Sequence, residues 1–172
     1  YNGMRGGTMT VSGEPVKSVR DRNFKGTAEI RDFVVDKAPA MTKLLSILSL
    51  PGLMEVLKDD GLAFTRLETE FNWYYRNKGS LLELREGRTS GNTLGLTFDG
   101  KFDNAELTVD VSGTLIPLSG INEIIGKIPL VGDIITGGSG SLFAATYSIK
   151  GKMADPVISA NPLSVLTPGI LR

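Results

Sequence analysis

Residues 94–115 read LGLTFDGKFDNAELTVDVSGTL, and the period of that stretch decides the fold. Leu94, Leu96, Phe98 and Phe102 alternate with Thr97, Asp99 and Lys101. Past Asp103-Asn104, Leu107, Val109 and Val111 alternate with Glu106, Thr108, Asp110, Ser112 and Thr114. Successive side chains on a strand point to opposite faces, so a two-residue apolar period marks a strand with one face buried. The short polar break between the two runs makes them an antiparallel pair, not a βαβ unit.

The same device recurs outward in both directions. Near the C-terminus Phe143, Ala145, Tyr147 and Ile149 alternate with Ala144, Thr146, Ser148 and Lys150. Upstream, Phe24, Ala28, Ile30 and Val34 oppose Lys25, Thr27, Glu29 and Arg31. The longest run spans Leu62 to Tyr75, with Leu67, Phe71, Trp73 and Tyr75 on one side. Its phase slips between Phe64 and Leu67, which predicts a bulge near Thr65 and Arg66. Turns are expected at Asn77-Lys78-Gly79, at Thr89-Ser90-Gly91-Asn92 and at Asp103-Asn104. The expected fold is mainly β: a curved antiparallel sheet, a groove-like or partly closed meander, with two short helical segments at an open face or end.

Those helical segments are where the alternation fails. Pro39 suits a first helical turn and is followed by Met41, Leu44, Leu45 and Leu48 at helical spacing. Pro51-Gly52 interrupts, and Leu53, Met54, Val56 and Leu57 predict a second short helix ending near Asp59–Gly61. The second break, Pro117 to Gly138, carries Ile121, Ile124, Ile125, Ile128, Leu130, Val131, Ile134 and Ile135 against only Glu123, Lys127 and Asp133 as charges. Glycines at 120, 126 and 132 and Pro129 prevent one long helix, so a short helix near 119–125 and an irregular apolar crossover are expected. Both breaks are candidates either to cap the open end of the sheet or to touch lipid.

Composition narrows the chemistry. The 172 residues fit one domain with a sizeable core, at 41% hydrophobic and 22% charged. Cys and His are both absent, which removes disulfides, thiolate nucleophiles, His dyads and the commonest metal ligands. Lys plus Arg equals Asp plus Glu at 19 each, so no net positive field collects nucleic acid. No apolar run of about 20 residues is present to span a bilayer as a helix. The chain opens at Tyr1 without a Met or a signal peptide, as an excised or processed fragment would.

The remaining signals read as structure. Gly137-Gly138-Ser139-Gly140 lacks the Lys-Ser/Thr ending of a phosphate loop and precedes a strand. Glu68 and Glu70 lie two apart on a polar strand face, where solvated carboxylates are ordinary, and Asp99 with Asp103 is no stronger a catalytic pair. Asp59-Asp60-Gly61 lacks the further oxygen ligands of a calcium loop. In Trp73-Tyr74-Tyr75, the first and third rings point one way and Tyr74 the other, which suits core or rim packing.

A family resemblance runs through nearly the whole chain. Its carriers are Gly6-Gly7-Thr8-Met9-Thr10-Val11-Ser12-Gly13, the leucine-rich Pro39-Ala40-Met41 to Gly61-Leu62, and Gly113-Thr114-Leu115-Ile116-Pro117. Asn122 through Ile128-Pro129-Leu130-Val131-Gly132, Tyr147-Ser148-Ile149-Lys150-Gly151, Asp155-Pro156-Val157 and Asn161-Pro162-Leu163 through Pro168-Gly169 complete it. In this order they resemble the C-terminal region of AsmA-like proteins of the large YhdP-like branch of Gram-negative bacteria. The resemblance implies a single C-terminal domain, residues 1–172, of a much longer non-catalytic protein. That protein would be periplasmic, held in the inner membrane by an N-terminal helix this chain lacks. It would contribute to phospholipid transport towards the outer membrane and to envelope integrity, as a bridge-type carrier with an apolar gutter.

The implied partners are phospholipid acyl chains, with a membrane surface or an envelope protein beside them; no cofactor, metal or nucleic acid is expected. Leu96, Phe98, Leu107, Val109, Val111, Phe143, Tyr147 and Ile149 are the expected groove lining. Leu44, Leu45, Leu48, Ile121, Ile124, Ile125 and Ile128 are the expected helical cap or membrane contact. A competing reading makes the domain a structural cap or docking module that binds a protein partner through an exposed sheet edge. An enzyme using carboxylates alone is the weakest alternative.

Overall fold

A computed structural model describes residues 3–16, 22–117 and 144–161. Among the described residues, eight strands form one antiparallel sheet whose spatial order follows chain order. They are β1 (Met4–Pro15), β2 (Phe24–Val35), β3 (Leu62–Arg76), β4 (Gly79–Gly91), β5 (Leu94–Asp103), β6 (Thr108–Pro117), β7 (Ala145–Lys152) and β8 (Asp155–Asn161). Two helices, α1 (Pro39–Ile47) and α2 (Pro51–Asp59), connect β2 to β3. Among the described residues β1 pairs only with β2 and β8 only with β7, so the sheet is open. The meander and the two helices are thus as the sequence predicts.

Each helix starts at a proline in its first turn, where the missing N–H costs no intrahelical bond. After α2, the amides of Asp60 and Gly61 both return to the carbonyl of Val56, and Gly61 takes a left-handed φ of +81° that ends the helix. Leu44, Leu45 and Leu48 of α1, Leu50 of the joint, and Leu53 and Leu57 of α2 are buried. They pack on Phe33, Leu62, Phe64, Leu94, Leu115, Ala145, Tyr147 and Ile158, contributed by six strands. Fully burying one such side chain stabilises by about 1.5–3 kcal/mol. The helices therefore seal one end of one sheet face.

Topology puts that seal at a definite end. An antiparallel meander turns alternately at its two ends, so the β1–β2, β3–β4, β5–β6 and β7–β8 tips share the far end. The helices share the near end with the β4–β5 turn, and Pro117 and Ala144, which flank the β6–β7 connection, are buried there. α1 lies against α2 and β8, and α2 against β3. Elements five strands apart in the sheet thus meet across the helices, which requires the sheet to curve around them. Arg5 fastens the start of β1 to this end, donating to the Asp60 carbonyl at 2.6 Å and pairing with Asp36 at 3.2 Å.

Three expectations need correction. Phe33, not Val34, faces the core and stacks on Phe64 with ring centroids 5.4 Å apart. Asp32 adopts a φ of +55°, which shifts the side-chain phase of β2 between Ile30 and Phe33. Residues 105–107 belong to a turn, not to β6: Asp103 accepts the amides of Ala105 and Glu106 at 3.0 and 3.1 Å, and Leu107 has a φ of +53°. The expected turn at 89–92 is shorter, since β4 runs to Gly91 and leaves Asn92 and Thr93 as the connection. The predicted bulge in β3 is present as a register shift against β4 between Phe64 and Arg66. The crossover of 118–143, with its expected short helix, lies outside the described residues.

Candidate functional site: an apolar sheet face open at one end

Residues paired across an antiparallel ladder project to the same side, so the register defines the site row by row. One row runs Met9, Ile30, Leu67, Thr89, Leu96, Leu115, Ala145. Another, nearer the tips, runs Phe71, Leu84, Gly100, Val111, Ile149, Ile158. Trp73, Leu82, Phe102 and Val109 lie nearer the tips still, with Phe24 beside Trp73. No row carries a charged side chain. The helices seal the near end of this face, yet Phe24, Trp73 and Tyr75 at the far end are exposed at 46%, 42% and 55%. From Ile30 to Phe24 the strand covers about 20 Å. Met9 and Val11 extend the same face onto the edge strand β1 and are also exposed.

Close backbone approach flattens this surface. A Cβ on Gly87 would fall within the ring of Phe98, and one on Gly13 would meet the tip of Phe71 at 3.3 Å. The aromatic rings therefore lie along the sheet and pave it. Tyr147 crosses Gly113 in its pair and donates its hydroxyl to the Thr97 carbonyl at 3.0 Å. Burial pushes that phenol up to about 12.

The opposite face is polar. Glu29 accepts from Arg31 and Arg66 at 2.7 and 2.6 Å, Arg66 pairs with Glu68 at 2.6 Å, and Arg88 with Glu68 at 3.0 Å. This ladder crosses β2, β3 and β4, with Glu83, Arg85 and Lys101 continuing it. The hydrogen bond from Arg31, reinforced by Arg66, holds the Glu29 carboxyl below its usual range. A depression of about 690 Å³ lies over Ser12, Glu14, Thr27 and Glu70 on this face. The carboxylates Glu68 and Glu70 thus stand on a solvated ion-paired surface. Among the described residues, no group of three or more acidic side chains is placed to hold a metal ion.

The structure brings most of the expected lining together. Leu96, Phe98, Val109, Val111, Tyr147 and Ile149 share the apolar face. Leu96, Val111 and Ile149 touch the helix-capped core, and Phe98 is half-buried beyond it. Val109 and Tyr147 are buried. Leu107 is not in the ladder; it sits in the β5–β6 turn, 58% exposed. Leu44, Leu45 and Leu48 are core residues under the helices and have no free surface to offer a membrane. Phe143, Ile121, Ile124, Ile125 and Ile128 lie outside the described residues.

Sequence reasoning missed Phe71, Leu82, Leu84 and Met9 as site residues. Phe71 was legible in the β3 alternation, whereas Leu81-Leu82 and Gly87 blur the period of β4. No described helix is long and apolar enough to cross a membrane. No family model, no curated protein and no solved structure matches this chain.

Proposed function

We propose that this domain is a non-catalytic lipid-binding module of a bridge-type envelope protein, as the resemblance to AsmA-like, YhdP-like C-terminal regions implies. On this reading it carries phospholipid acyl chains along its apolar face between the inner and outer membranes. One observation carries the proposal: among the described residues a charge-free face extends across the sheet, the two helices plug its near end, and aromatic rings stand exposed at its far end. From Ile30, at the edge of the helix-capped core, the face runs about 20 Å to Phe24, against the roughly 15 Å that the chains of one leaflet span in a bilayer. Each methylene hidden there contributes about 0.8 kcal/mol, so ten contribute about 8 kcal/mol against leaving the bilayer.

Face-specific photocrosslinking tests this reading. A photoreactive phenylalanine analogue at Phe98 or Trp73 should capture phospholipid, and the same analogue at Arg31 or Arg88 should not. Equal capture from both faces, or none from either, would sink the proposal.

A second reading, a structural cap or docking module for an envelope protein, has its own support. The edge strand β1 is exposed over all 12 of its residues, and such an edge accepts an added strand. Recovery of one defined protein partner with no co-purifying lipid favours this reading.

A further inference from the structure

Exposure along the apolar face rises in one direction. On β3, Leu62 and Phe64 are buried, Leu67 and Phe71 half-buried, and Trp73 and Tyr75 exposed. On β2, Phe33 is buried, Ile30 and Ala28 half-buried, and Phe24 exposed. The buried members belong to the core beneath α1 and α2, and Ile30 and Leu67 pack against its edge. Ile30 is the cross-strand partner of Leu67, as Phe24 is of Trp73, so the core edge and the exposed rings form two rows about 20 Å apart. In the row that Phe71 begins, Ile158 on β8 is buried while Phe71 and Leu84 are half-buried. The accessible part of the face therefore lies over β2 to β4.

We propose that the face over β2 to β4 is a blind slot that selects lipid by chain length. An acyl chain enters methyl end first past Phe24 and Trp73 and stops against Ile30 and Leu67. This rests on the lipid-binding reading and adds the direction of entry and a length limit. Charge complementarity selects the occupant: a face without charged side chains suits hydrocarbon and leaves a phosphate headgroup outside, beyond the exposed rings. Continuity supplies the second argument, because the methyl end abuts the core that α1 and α2 close and extends its apolar packing. An all-trans chain advances about 1.25 Å per carbon, from a bond of about 1.52 Å and an angle of about 111°. A slot of about 20 Å therefore holds about 16 carbons.

The test offers the whole chain vesicles carrying equal amounts of lysophosphatidylcholines with about 12 to 22 carbons, a range that brackets the limit. Mass spectrometry then compares the lipid retained by the protein with the vesicle composition. A methylene is buried in the bilayer and in the slot alike, so retention should be level up to about 16 carbons. Each further carbon, left in water at the mouth, should lower it about fourfold. Leu67→Ala should lengthen the limit and Ile30→Trp shorten it, by about two carbons each. Arg88→Gln, on the opposite face, should leave it unchanged. Retention with no length limit, or a limit that neither Leu67→Ala nor Ile30→Trp moves, overturns the proposal and leaves the lipid-binding reading standing. No retention of any length by wild type overturns both. The wild-type limit is read without any substitution, so a variant that fails to fold does not shelter the proposal. Circular dichroism confirms that each variant is folded.

Discussion

Replacing Gly87 with Ala tests whether the apolar face is paved as described. Gly87 lies in β4 where its register shifts against β5 between Leu84 and Gly87, and its cross-strand partner is Phe98. Its φ is not left-handed, so alanine brings no backbone strain; the cost comes from contact alone. The new Cβ would occupy the space of the Phe98 ring, forcing the ring off the sheet. Overpacking of this kind costs about 1–3 kcal/mol. At 172 residues, each kcal/mol lowers Tm by about 2–4 °C, so a drop of about 4–8 °C is expected for the middle of that range. A double-mutant cycle in urea isolates the contact. In a Phe98→Ala background, Gly87→Ala should cost less than about 0.5 kcal/mol, leaving a coupling of about 1 kcal/mol or more. The same cost in both backgrounds would refute the reasoning, because the penalty would then arise without the ring. The displaced ring should also crowd the uncovered part of the face and lower the lipid recovered with the protein.

Other outcomes follow from the same geometry. Leu45→Ala, at a fully buried site in α1, should cost about 2–5 kcal/mol in urea unfolding, whereas Ile47→Ala, exposed on the same helix, should cost under about 1 kcal/mol. Glu29 and Asp103 both titrate below their usual values, Glu29 chiefly through Arg31 and Asp103 chiefly through the Glu106 and Ala105 amides. Depressed carboxyls stabilise the folded state above about pH 4.5 and lose that contribution as pH falls through their folded values. Glu29→Gln with Asp103→Asn should therefore flatten the acid limb of a Tm-against-pH profile. Tyr147 is shifted the other way, by burial, to about 12. Its contribution is complete below about pH 10 and is lost as pH rises towards 12, so Tyr147→Phe should remove that alkaline loss. The same change should cost about 1 kcal/mol at neutral pH through the bond to Thr97.

The fold was largely legible, because a half-buried antiparallel sheet writes its inner face as a two-residue period. β2, β3, β5, β6 and β7 all carry it, and the two prolines announce α1 and α2. What the period cannot convey is a left-handed residue. Asp32 reverses the phase so that Phe33 replaces Val34 in the core. Leu107 keeps the parity of Val109 and Val111, yet sits in a turn whose shape Asp103 sets. The candidate site was legible only in part, for the same reason. The lining of β5 to β7 could be read from alternation, but the row formed by Phe71 and Leu84 depends on how β4 shifts against both neighbours. The contact of Arg22 with the Tyr75 ring was not legible at all, because the two are distant in sequence and only the pairing of β2 with β3 sets them together.

Native mass spectrometry of the purified chain, with lipid extraction from the same preparation, tests the central claim most directly. Phospholipid bound near one-to-one, and lost in Phe98→Glu or Trp73→Glu while circular dichroism still reports a folded sheet, is the predicted result. A clean lipid-free mass from a stably folded chain would contradict it.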